Sequence, residues 1–101
     1  MNVRLLESAL RHLVEGHRFY EAQAPQLGTH FLRSLFSDID ALAVHGGVHP
    51  TFHGFHRSLS KRFPFAIYYT VAAEEVRVHA VLDCRRRPWW IREQLRGSTE
   101  G

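Results

Sequence analysis

A chain of 101 residues that is 45% hydrophobic, with two Trp, three Tyr and seven Phe, reads as a single folded domain over 1–101 rather than a disordered segment. It has no apolar run near the ~20 residues that span a bilayer, so no membrane is expected among its partners; its one cysteine, Cys84, excludes a disulfide-stapled scaffold and points to a reducing cytoplasm. The net charge of +3 is uneven: residues 41–73 contain no acid and residues 85–96 hold five arginines, so the C-terminal half favours an anionic partner, either nucleic acid or an acidic protein surface.

In chain order, residues 3–6 suit a short first strand, and Arg4 and Glu7 interrupt any signal-peptide core. From Ser8, which reads as an N-cap, Ala9, Leu13, Gly16 and Tyr20 recur at spacings of 4, 3 and 4 and share one face of a helix over about 8–23. Pro25, within "QAPQLG", removes a backbone donor and disfavours helix at Ala24. Leu27, Phe31, Leu35, Ile39 and Leu42 then predict a second helix over about 26–44, and the pair an antiparallel helical hairpin. "HGGVHPTFHG", with three glycines and a proline in ten residues, reads as an irregular loop.

After the loop the period shortens. Residues 55–62, "FHRSLSKR", alternate loosely, as an outer strand with a basic side does. Residues 65–71, inside "FPFAIYYTV", are apolar on both faces, as a central strand is. "AAEE" makes a turn, and residues 76–83 put Val76, Val78, Ala80 and Leu82 on one face and Arg77, His79 and Val81 on the other. Pro88 ends that strand, and residues 89–96 suit a short C-terminal helix. The expected fold is α+β, with an N-terminal helical hairpin packed on a small antiparallel β-sheet.

The stretches "FYEAQAPQLGTHFLRSL", "RFPFAIYYTV" and "VRVHAVLDCRRRP" together resemble the RelE/ParE superfamily of bacterial toxins, most of all its ParE-like, plasmid-stabilisation branch, from about residue 5 to about residue 92. The resemblance implies a bacterial cytoplasmic protein held inactive by a cognate antitoxin in a hetero-oligomer. Small size without disulfides adds a homo-oligomer to the expectations. Two targets compete: ParE-like members bind DNA gyrase, whereas RelE-like members cut mRNA on the ribosome. Cutting RNA through the 2′-hydroxyl needs a base or its electrostatic substitute, a cation for the phosphate and a proton donor. Set against the RelE-like pattern, Lys61 supplies the second-strand lysine and Arg85, Arg86 and Arg87 the C-terminal cation. The third-strand arginine falls near Ala66, and Trp89 and Trp90 occupy the region of the C-terminal tyrosine. Half of that machinery is missing, which favours the ParE-like reading and leans against an enzyme. For the nuclease alternative, the residues left are Lys61, Arg85, Arg86, His79 and Tyr69, with His56 as a further acid or base. A third reading, outside the family, is a non-toxic basic RNA-binding or regulatory module.

The target-binding candidates are Arg57, Lys61, Arg62, Arg85, Arg86, Arg87, Trp89 and Trp90. Three consecutive arginines repel one another, and together they can grip phosphates or carboxylates bidentately; alternatively they finish a strand where water begins. Arg57, Lys61 and Arg62 can equally protect an edge strand from mispairing. His45, His49, His53 and His56 have spacings of 4, 4 and 3, but Gly46, Gly47, Pro50 and Gly54 break the helix that would align them. No metal or cofactor is expected there; a loop that gains charge in mild acid is. Cys84 lacks an identifiable histidine–acid pair and reads as a small strand-end residue.

Overall fold

A computed structural model of the chain describes residues 1–98, so residues 99–101 of the expected domain lie outside the described residues. The elements in order are β1 (Asn2–Leu5), α1 (Glu7–Glu21), α2 (Leu27–Asp40), α3 (Leu42–His45), β2 (Thr51–Phe52), β3 (Phe55–Leu59), β4 (Phe65–Ala72), β5 (Glu75–Asp83) and α4 (Pro88–Ser98). The strands form one sheet in the order β1-β5-β4-β3-β2, with β4 at its centre.

Both faces of β4 are covered, which is why its sequence is apolar throughout. Phe65, Ile67 and Tyr69 join Val76, Val78 and Val81 of β5 under the hairpin's Ala9, Leu13, Tyr20, Phe31, Leu35 and Ile39. Ala66 and Tyr68, with Phe55, Ala80 and Leu82, meet Ile91 and Leu95 of α4 on the opposite face. The predicted stripes of α1 and α2 are the ones that turn inward. Gly16 and Gly28 let the two helices approach: a Cβ on Gly16 would lie 2.5 Å from the Phe31 ring, and one on Gly28 would lie 2.7 Å from the His17 carbonyl oxygen. Each glycine costs about 1 kcal/mol of helix propensity, which the close packing offsets. Glu21 clasps the hairpin, its carboxylate accepting the N–H groups of Gln26 at 3.0 Å and Gly28 at 2.9 Å. Those donors belong to the open N-terminus of α2, where a negative charge is favoured.

The structure corrects several expectations. The sheet is mixed rather than antiparallel, because β1 runs parallel to β5 with Asn2 opposite Glu75 and Leu5 opposite Val78. A four-residue strand carries no mark of the direction of its partner. Ser8 is not the N-cap; α1 starts at Glu7, and the Ser8 hydroxyl donates to the His79 carbonyl at 2.5 Å. The second helix ends at Asp40, and Leu42–His45 forms the separate turn α3. The expected loop contains β2, whose Thr51 and Phe52 pair with His56 and Phe55 across a tight turn with positive φ at His53 and Gly54. For those two residues β3 is therefore not the outermost strand. Pro88 opens α4, the helix position where a missing N–H costs nothing.

The alternation predicted for β5 fails at one residue. Tyr68 pairs with Ala80 but Tyr69 pairs with Val78, so His79 is an extra residue in a β-bulge. The bulge sends Val76 and Val78 to the hairpin side and Ala80 and Leu82 to the α4 side. His79 occupies the bulge, 8% exposed, with Nε2 2.9 Å from the Thr70 hydroxyl and Nδ1 3.1 Å from the Ser98 carbonyl. It ties the end of α4 to the sheet. Among the described residues, no helix is long and apolar enough to cross a membrane.

Candidate partner-binding surface

Leu59 at the end of β3 lies opposite Ala66, and Ala66 lies opposite Leu82. The segments that follow β3 and β5 therefore meet at one end of the sheet. The Cys84 N–H and thiol both donate to the Pro64 carbonyl, at 2.9 and 3.2 Å, and join them. This brings Lys61 and Arg62 to the same end as Arg85, Arg86 and Arg87.

The three arginines do not act alike. Arg85 is closed on Asp83, its Nε and Nη2 donating to the two carboxylate oxygens at 3.0 and 2.7 Å. That guanidinium, through its hydrogen bond first of all, holds the Asp83 carboxyl below its ordinary range. Arg86 lies over the Trp90 ring, 3.8 Å from its centroid, a cation–π contact. Arg87 is exposed and supplies α4 with its first acceptor, its carbonyl receiving the N–H groups of Trp90 and Ile91. Trp90 packs against the second core, while Trp89 is 56% exposed.

Arg57 sits farther along β3. Its Nε donates to the Tyr68 hydroxyl at 3.3 Å, and its guanidinium lies 5.9 Å from the centre of the Phe52 ring. Burial raises the Tyr68 pKa against the opposing pull of Arg57. Arg57 also borders a groove of about 560 Å³, lined by Leu42, Val48, Pro50, Phe52 and Leu59, with Lys61, His45, His49 and Asp38 at its polar margin. Val48 and Leu59 are 74% and 58% exposed, unusual for apolar side chains that face one concavity.

The four loop histidines part company. His49 Nδ1 lies 2.5 Å from the Tyr69 hydroxyl, and the Gly47 N–H donates to the same oxygen at 3.0 Å. His56 stacks on the Tyr69 ring and its Nδ1 reaches the His49 carbonyl at 2.7 Å. His53 is exposed in the β2–β3 turn against Phe52. Among the described residues, no group of three His, Cys, Asp or Glu is placed to hold a metal.

The five nuclease candidates do not surround one point. Tyr69 is fully buried on the hairpin side, and His79 is buried toward α4, on the opposite face. Both lie about 10 Å along the sheet from the end that carries Lys61, Arg85 and Arg86, three residues beyond Ala66 at the rise of a strand. The sequence points to the helical hairpin and the sheet edge as the ground for an amphipathic, acidic partner segment. The target-binding candidates do not include the exposed apolar residues there: Leu10 and Val14 of α1 and Phe36 of α2 are 45%, 49% and 38% exposed. Leu10 and Val14 stand four apart and off the core stripe, a signal that was present in the sequence.

No family model and no curated protein matches the chain in sequence. Among solved structures it is similar to a chain of the chromosomal ParDE TA system from P. aeruginosa, with a TM-score of 0.71 and 17% sequence identity over 80% of this chain and 92% of that one. A hairpin of helices on one face of a five-stranded sheet is thus a RelE/ParE-like fold, reached here with little shared sequence.

Proposed function

We propose that the chain is the toxin of a bacterial type II toxin–antitoxin pair, ParE-like, which binds DNA gyrase in the cytoplasm and is neutralised by a cognate antitoxin. The observation that carries this reading is the likeness to the ParDE chain across most of both molecules. The dispersal of Lys61, Arg85, Arg86, His79 and Tyr69 favours action by binding over catalysis. An antitoxin segment suited to this surface is acidic and amphipathic. Its apolar side covers the exposed hairpin face and the groove beside β3, and its carboxylates meet the basic end of the sheet.

Induced expression tests the reading. Growth arrest relieved by the product of an adjacent gene, with loss of gyrase supercoiling and no new RNA 5′ ends, is the expected result. Ribosome-dependent 5′ ends with intact supercoiling would instead establish the nuclease alternative, which the gathering of five cations at one end of the sheet supports. No arrest and no affinity for any neighbouring gene product would leave the non-toxic basic module. Changing Arg85, Arg86 and Arg87 together to Ala should leave the circular dichroism spectrum unchanged and abolish toxicity or antitoxin binding. A folded triple variant that is still toxic and still neutralised would reduce the cluster to a solvated strand end.

A further inference from the structure

Next to the apolar groove, and joined to it at Asp38 and Lys61, lies a second cavity of about 420 Å³. One wall is a single face of α2, where His30, Arg33, Ser34, Ser37 and Asp38 follow at spacings that a helix turns to one side. The other wall is the segment after β3, which contributes Lys61 and Arg62. That segment is fixed against α2 along its length. The Ser60 hydroxyl donates to Asp38 Oδ2 at 2.8 Å, and the Lys61 backbone N–H donates to the same oxygen at 3.3 Å. Further on, the Phe63 ring lies 5.5 Å from His30 and 5.2 Å from Phe31, centre to centre. The cations are therefore held on a frame rather than on a free loop.

The charges in this cavity are unbalanced. Arg33, Lys61 and Arg62 face one carboxylate, Asp38, which two donors already engage. None of the three cations has an ion-pair partner among the described residues, whereas Arg77 and Arg85 are each closed on a neighbouring acid at 2.7 Å. We propose that the cavity is a binding site for a phosphate group, gripped by Arg33, Lys61 and Arg62 and hydrogen-bonded by the hydroxyls of Ser34 and Ser37. Two guanidinium forks, an ammonium and two hydroxyls offer more donors than the two oxygens of a carboxylate can accept. A phosphate, with its tetrahedral oxygens, uses them. The site stands whether or not the chain is a toxin. The phosphate can arrive as a free ion or small phosphate ester, or within a nucleic-acid backbone.

The probes are a fluorescein-labelled twelve-nucleotide single strand, a labelled peptide of twelve glutamates, and inorganic phosphate as competitor against chloride of equal ionic strength. Wild-type protein should bind the oligonucleotide well above the peptide, or bind inorganic phosphate directly by calorimetry. The first result identifies a backbone phosphate and the second a free one. Arg33→Gln with Arg62→Gln should weaken binding at least about tenfold; for the oligonucleotide it should flatten the slope of log K against log salt by about 0.7, one phosphate contact on a single strand. Arg77→Gln, distant and salt-bridged, should change neither. Thermal unfolding checks that the double variant is folded, and Ser34→Ala with Ser37→Ala provides a second variant that alters no charge. Three results would each overturn the proposal: equal binding of the glutamate peptide and the oligonucleotide without direct binding of inorganic phosphate, no binding of either phosphate probe, or full binding by the folded double variant.

Discussion

His12 is 8% exposed, and its Nδ1 accepts the N–H of Val81 at 3.2 Å, so the neutral ring keeps its proton on Nε2. The bond answers a gap in the sheet: beyond Leu6, whose N–H donates to the Val78 carbonyl, β1 has run out and the next amides of β5 need another acceptor. Burial first, and the Arg11 charge second, lower the His12 pKa from 6.5 to about 4. Burial, with His56 and His45 nearby, lowers His49 as well. For a histidine depressed in the folded state, the unfolded chain binds the extra proton, so stability is full above pH 6.5 and falls as the pH drops toward the folded value. His12 alone should cost roughly 3 kcal/mol between pH 6.5 and pH 4. Urea unfolding at pH 7 and at pH 4.5 measures this, and in His12→Gln the difference should shrink. An unchanged difference would exclude His12 as its source. At Ile67, with no exposed surface, truncation to Ala should destabilise by roughly 2–5 kcal/mol, read as a lower urea midpoint at constant m.

At the scale of elements, the turn between β4 and β5 is built against local preference. Ala73 and Glu74 both hold positive φ, 51° and 65°, the mirror-image turn that matches strand twist and that Asn-Gly adopts with least strain. Ala73→Asn with Glu74→Gly should therefore raise stability by about 1 kcal/mol, seen as a higher Tm. No gain would mean that the strain is relieved in a way the dihedral angles do not reveal. The sequence announced most elements because their periods were long and clean: the α1 and α2 stripes and the unbroken apolar run of β4 read directly. It could not announce the His79 bulge, since one inserted residue in an apolar strand leaves composition unchanged while reversing which face each later side chain occupies. Nor could it show that Ser8 reaches across to β5, because a serine near a helix start looks the same whether it caps or not.

For the molecule as a whole, the sheet is a wall between two unlike cores, and the candidate surfaces sit at its margin. Arg85 to Arg87 stood out in the sequence as a run, and the structure divides them into a salt bridge, a ring contact and one open side chain. The cavity between α2 and the segment after β3 was illegible for the opposite reason. Its cations come from two places, with Arg33 hidden in a nearly neutral half of the chain, and only the folded contacts of Asp38 and Phe63 bring them together.

The parallel pairing of β1 with β5 also sets an order of events. The antiparallel run of β3, β4 and β5 closes through short connections, whereas Asn2 must wait for Glu75. Loop-closure entropy makes such a distant pairing slow to nucleate, so the meander should form first and the opening strand dock late. Stopped-flow kinetics should find that Ile67→Val slows folding, while Val3→Ala acts almost wholly by speeding unfolding. A chain made from its N-terminus would then emerge with its first strand idle, the edge of β5 staying open until that strand returns to cover it.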